Sequence, residues 1–164
     1  MALSAFAAMA APAAAQEIFA FNAPGADKSL RDALERASVI VAARQTEKTG
    51  PQDLFAAARA EYGRLLGALY AEGYYAGVIS IRIDGRETAD IPALDAPETI
   101  RSIVVTVEPG PRFRFAAARM RPYAPATEIP PRYGDGRVAR STAIGDAAKA
   151  GVDGWRNIGH AKAR

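Results

Sequence analysis

The chain has 164 residues, 21 Lys/Arg against 18 Asp/Glu, no Cys and one His. At 49% apolar and 24% charged it is too apolar for a disordered chain, and it carries no apolar run long enough to span a bilayer as a helix. Without Cys no disulfide framework can form, and the length allows one ordinary domain or two small ones.

Residues 1–16 carry no charge and end in Ala13-Ala14-Ala15 before Gln16-Glu17. They read as the apolar and cleavage regions of a secretory signal peptide; an Ala-rich tail is the alternative. The first basic residue is Lys28, so a basic leader start is expected upstream of Met1. Ile18 to Asn22 reads as a first strand, ended by Ala23-Pro24-Gly25. From Ser29, Leu30, Ala33, Leu34, Ala37 and Val41 fall at helical spacing, with Ser29 and Asp32 as a variant capping box.

Thr49-Gly50-Pro51-Gln52-Asp53 starts a second helix, with Pro51 in its first turn and Asp53 at the positive end of the dipole. Leu54, Ala58, Tyr62, Leu65, Leu66, Leu69 and Tyr70 form its apolar stripe, Arg59, Glu61, Arg64 and Glu72 lie off it, and Gly73 is placed for a left-handed C-cap. Beyond Tyr74-Tyr75 the period becomes two: Ile79, Ile81 and Ile83 share one face of a strand that stops at Asp84-Gly85. A Pro-containing connection, Arg86 to Glu98, leads to a further strand with Ile103, Val105 and Val107 on one face. The expected fold class is α+β, a two-layer β-α-α-β-β domain over residues 17–111, with Leu34, Tyr62, Leu66, Leu69, Ile81 and Val105 in its core.

Residues 112–164 then look like a second, incomplete copy. Phe113-Arg114-Phe115 resembles Phe19-Ala20-Phe21, and at an offset of 86 residues Ile144, Ala148, Val152, Trp155 and Gly159 take the places of Ala58, Tyr62, Leu66, Leu69 and Gly73. The first helix of this copy is expected in reduced form within Ala124 to Arg140. A whole copy would run about 29 residues past Arg164, and without them Trp155 is expected to be largely open to water. Charge divides at the same point: residues 1–111 carry 10 Lys/Arg against 14 Asp/Glu, residues 112–164 carry 11 against 4. A solvated face or one near anionic lipid fits the basic half; nucleic acid is the other reading, without a recognition-helix signature to support it.

Three pieces of sequence carry a family resemblance. They are Leu69-Tyr70-Ala71-Glu72-Gly73-Tyr74-Tyr75 leading into Val78 to Ile83, Val105-Thr106-Val107-Glu108-Pro109-Gly110-Pro111 entering Phe113-Arg114-Phe115, and Trp155-Arg156-Asn157-Ile158-Gly159-His160-Ala161. In this order they resemble the periplasmic POTRA modules of BamA-related outer-membrane translocation and assembly proteins, in particular the TamA branch, over residues 17 to 164. The resemblance implies a periplasmic location, a β-barrel that this stretch does not contain, and a docking role in the assembly of outer-membrane proteins and autotransporters. The partners it implies are a TamB-like inner-membrane-anchored protein, nascent outer-membrane chains and the chain's own barrel. It also implies an edge at the second strand, where Gly77, Val78, Ser80 and Arg82 would bind an extended client by β-augmentation, or simply form a solvated surface.

No catalytic, cofactor-binding or metal-binding residue is expected. His160 is the only imidazole, no Gly-x-Ser-x-Gly elbow exists, and Gly134-Asp135-Gly136-Arg137 lacks the helix and lysine of a phosphate loop. The competing class is a small periplasmic protein that binds a soluble ligand or a cell-wall polymer.

Overall fold

The computed structural model describes residues 18–45 and 49–163; the signal-peptide expectation for residues 1–16 lies outside them. Aromatic and β-branched residues give strand β1 (Ile18–Asn22), which ends as expected before Gly25 at φ +78°. The next helical segment differs from the sequence reading in two ways. Its N-cap is Asp27, whose carboxylate accepts from Leu30 N–H at 2.8 Å, so Ser29 already lies inside helix α1 (Lys28–Ala37). The apolar series does not continue to Val41 on one helix: Ser38 turns extended and caps a separate α2 (Val39–Arg44). The break swings Ile40, not Val41, into the core beside Leu30 and Leu34.

Helix α3 (Pro51–Glu72) starts as its residues dictate, with Gly50 as N-cap, Pro51 in the first turn and Asp53 near the positive end. It ends on Gly73 at φ +86°, with the N–H groups of Gly73 and Tyr74 returning to the carbonyls of Tyr70 and Leu69. A side chain at Gly73 would also collide with Val138, whose Cγ1 lies 2.7 Å from the Cβ position. The buried face of α3 is Leu54, Phe55, Ala57, Ala58, Glu61, Leu65 and Leu69. This corrects two expectations: Leu66 is 38% exposed and outside the core, and Glu61 is fully buried within it.

Strand β2 (Val78–Ile83) turns through Asp84 and Gly85, at φ +48° and +83°, into a short return strand β3 (Arg86–Glu87). Two consecutive left-handed residues are what a two-residue hairpin needs to match strand twist. Asp84 steadies the turn by accepting from Arg101 N–H and Ser102 N–H. The connection after β2 is therefore more ordered than expected, with a single 3-10 turn over Thr88–Asp90 that buries Thr88 and Ile91. Strand β4 (Ser102–Glu108) buries Ile103, Val105 and Val107, the alternation read from the sequence.

The sheet order is β1-β4-β2-β3, with β4 parallel to β1 and antiparallel to β2. The register Phe19↔Ile103, Phe21↔Val105 and Ile81↔Val105 sends one set of side chains toward the helices and leaves the other face open. The core lies between that sheet face and α1, α2 and α3, and the fold class is α+β. Each fully buried Leu or Ile there contributes about 1.5 to 3 kcal/mol, which makes this layer the main source of stability.

Residues 112–163 dock on the end of α3. Phe113 N–H donates to Gly73 C=O, Tyr75 Oη donates to Ala139 C=O at 2.7 Å, and the Tyr75 ring stacks on Tyr70 and meets Phe113 edge-on. Phe113 and Phe115 pair with residues 136–139 through isolated bridges, not within an extended strand. No described residue of 124–140 is helical, which corrects the reduced helix expected there. Helix α4 (Ser141–Asn157) forms where the repeat placed it, but its buried residues are Ala143, Ala147 and Gly151. Ile144 is 46% exposed, Ala148 is exposed, and Val152 and Trp155 are half-buried, so the expected apolar stripe is not the inward face. Trp155 is less open than expected, because its indole N–H reaches Pro122 C=O at 3.3 Å and its ring meets His160 edge-on.

Candidate interaction surface

The sheet order decides which backbone groups are free. On one side stands β1, whose only described partner is β4. Ile18 N–H donates to Arg101 C=O, toward β4. By the alternation of a strand, the N–H groups of Phe19 and Phe21 therefore point to the unpaired side. Phe19 is half-buried under Arg44, whose guanidinium sits 4.4 Å from the ring centroid, and Ile18 is exposed.

On the other side the expected docking strand, β2, is open for only part of its length. Its outward backbone groups belong to the odd residues, as Ile81 shows: its N–H donates to Glu87 Oε1 at 2.9 Å and its C=O accepts from Tyr62 Oη. Arg82 and Ile83 are paired with Glu87 and Arg86. This changes the reading of the four residues assigned to that edge. Gly77 is a packing position, since a Cβ there would come within 2.6 Å of Leu69 Cδ1. Val78 is exposed opposite Glu108. The Ser80 hydroxyl donates to Glu87 Oε2 at 2.7 Å, and Arg82 Nε lies 3.8 Å from the same oxygen. Ser80 and Arg82 are thus gathered by one carboxylate, and β3 covers the strand's C-terminal half.

The sequence reading places Tyr62 in the core and Glu87 in the connection after β2 without joining them, although Asp84-Gly85 is a strong hairpin signal that places Arg86-Glu87 beside β2. Tyr62 Oη donates to Glu87 Oε1. Burial, reinforced by that carboxylate, pushes the Tyr62 phenol up to about 12. Burial also works to raise Glu87, but the hydrogen bonds from Tyr62, Ile81 and Ser80 and the charge of Arg82 outweigh it and hold the carboxyl below its ordinary value.

The basic segment makes a second surface at the α3 C-terminus. Glu72 Oε2 accepts from Arg112 and from Arg140, both at 3.1 Å, and Arg112 Nε also donates to Glu72 C=O. Arg132 pairs with Asp146. Asp135, in the Gly-Asp-Gly turn, accepts from Ala118 N–H and so holds the loop instead of a ligand. His160 N–H closes the C-terminal cap of α4. Among the described residues no three His, Asp or Glu side chains converge as a metal site would require, and no helix is long and apolar enough to cross a membrane. No family model and no curated protein matches the chain.

Proposed function

We propose that the chain is a POTRA-like protein interaction module of an outer-membrane assembly factor, working on the periplasmic side of that membrane and carrying no enzymatic activity of its own. In this reading it docks extended segments of nascent outer-membrane chains and of a TamB-like partner, and residues 112–163 begin a second module. The observation that carries the proposal is the one-sided mixed sheet with the outer side of β1 unpaired by any described residue. An extended peptide can add there by backbone hydrogen bonds with little demand on its sequence, which suits a receptor for many clients. The favoured edge thus moves from β2 to β1, because Glu87 and β3 occupy most of the outer side of β2. The order of the sequence pieces that resemble this family supports the same reading.

The test is an NMR titration with an extended amphipathic peptide of outer-membrane strand pattern. Addition at β1 slows amide exchange at Phe19 and Phe21 and leaves Ile18 and Ala20, which face β4, unchanged. Binding without protection at Phe19 and Phe21, or protection confined to Ile79, rejects the β1 edge.

A further inference from the structure

We infer that the cleft between Arg112, Arg132, Arg137 and Arg140 is a binding site for the phosphate headgroup of an anionic phospholipid. Pro131 and Val138 complete a cleft of about 370 Å³, a size suited to one headgroup. Four arginines from two separate stretches of chain line it, and two carboxylates touch them, Glu72 on Arg112 and Arg140 and Asp146 on Arg132. Glu72 holds its two arginines side by side, and no described carboxylate reaches Arg137. Two positive charges are therefore left unneutralised at one point of a segment that is itself strongly basic.

The residue type matters as much as the charge. Guanidinium forks match the oxygens of a phosphate in pairs. The helix that follows adds to the field, since α4 begins at Ser141 with no acidic residue in its first turn and no side-chain cap on its first N–H groups. The source of the phosphate follows from exposure. The side chains of Arg112, Arg132 and Arg140 are 36–60% exposed, Arg137 is exposed too, and all four line an open surface cleft, while Phe113, next to Arg112 in sequence, and Ile144, in the first turns of α4, are exposed apolar side chains. Arginines with neighbouring apolar groups are what a membrane interface favours, whereas a free anion would need a more enclosed site.

This inference deepens the membrane-surface side of the proposed function but does not need the edge-strand mechanism: a chain that adds no peptide at β1 can still bind vesicles through these arginines. The experiment is vesicle flotation with phosphatidylcholine alone and with about 30 mol% phosphatidylglycerol added. The wild type floats with the anionic vesicles only. Arg132→Gln with Arg137→Gln, which leaves the Glu72 clamp intact, weakens that binding roughly 25-fold, at about fivefold for each arginine lost from the surface. Arg156→Gln with Lys162→Gln removes the same charge at the other end of α4, about 24 Å away along the helix, and changes binding less than about twofold. Equal losses from the two pairs, or no preference for anionic vesicles, overturn the site. Sub-millimolar binding of glycerol 3-phosphate in calorimetry would assign the cleft to a free phosphate and overturn the lipid.

Discussion

Glu61 offers the sharpest test of how this core is held together. It is a fully buried carboxylate in the middle of α3, and its Oε2 accepts from Val39 N–H at 2.6 Å and Ile40 N–H at 3.1 Å. Those two groups open α2, and helix openings leave backbone donors that nothing inside the helix can satisfy. Ser38 supplies one acceptor, to Val41, and Glu61 supplies the other two from across the helix interface. In Glu61→Ala both donors lose their partner, and Ile40 has no access to water in compensation.

A hydrogen bond to a charged group is worth about 1.5 to 3 kcal/mol. The opposing term is the desolvation of the carboxylate, whose Oε1 has no hydrogen-bond partner among the described residues. A net loss of about 2 to 4 kcal/mol follows for Glu61→Ala, large against a total stability of about 5 to 15 kcal/mol. Glu61→Gln keeps a carbonyl oxygen for both N–H groups and should recover roughly half of the loss. Urea unfolding followed by circular dichroism measures both variants, and amide exchange at Ile40 reports the cap directly. A loss under about 0.5 kcal/mol for Glu61→Ala, typical of surface positions, would refute the capping role. So would Glu61→Gln being as costly as Glu61→Ala, because packing alone would then be the cause.

Three further outcomes follow. Leu65→Ala should cost about 2 to 5 kcal/mol and its neighbour Leu66→Ala less than about 1, by the same unfolding assay, since Leu65 is fully buried and Leu66 is not; equal costs would mean that α3 is rotated. The raised Tyr62 phenol and the lowered Glu87 carboxyl bound a pH window. Glu87 contributes stability that is present above its ordinary carboxyl range and lost as pH falls through its depressed folded value, while the Tyr62 contribution is present below pH 10.0 and lost as pH rises toward about 12. The difference in ultraviolet phenolate titration between wild type and Tyr62→Phe should have its midpoint near 12, and one at 10.0 would show that the phenol is not held by Glu87. Finally, Gly145→Ala, where a Cβ meets nothing, should raise thermal stability by up to about 1 kcal/mol through helix propensity. Gly154→Ala should lower it, because the Cβ would be driven into the stiff side chain of Thr127.

Much of the first unit was legible because its signals are local. Gly73 at the end of α3, Pro51 at its start, the alternation of Ile79, Ile81 and Ile83 and that of Ile103, Val105 and Val107 all appear where the residues put them. The misplaced face of α3 has a nonlocal cause. Periodicity favours Tyr62 and Leu66 over Glu61, since a charged residue is disfavoured inside. What reverses this is the break at Ser38, which creates N–H groups that must find an acceptor, and the nearest one is on another helix. Burying Glu61 sets the rotation of α3, and Leu66 is turned outward as a result. The open edge of the sheet escaped for a related reason. Strand order depends on long-range pairing, and the two-residue strand β3 is too short to show any period.

The two helix ends match at the offset of 86 residues in hydrogen bonding as well as in sequence. Tyr74 N–H returns to Leu69 C=O at 2.9 Å and His160 N–H to Trp155 C=O at 3.0 Å, and Gly73 and Gly159 both take positive φ, +86° and +99°. A cap of this kind involves about six consecutive residues, so similar sequence rebuilds it wherever it occurs. The buried face follows as well, since Ala143, Ala147 and Gly151 stand 86 residues after Ala57, Glu61 and Leu65, which are buried in α3. The inward side of α4 is Ala143, Ala147 and Gly151, with Met120 so close to Gly151 that a Cβ there would lie 2.9 Å from its methyl group. Small residues are required because the segment before α4 runs directly against the helix, where α3 meets a sheet through large side chains. Ile144, Ala148, Val152 and Trp155 are exposed or half-buried; of their equivalents in α3, Tyr62 and Leu66 are likewise not buried, while Ala58 and Leu69 are. Helix α4 thus buries the positions that α3 buries at Ala57, Glu61 and Leu65, but with small residues that fasten it to the loop before it.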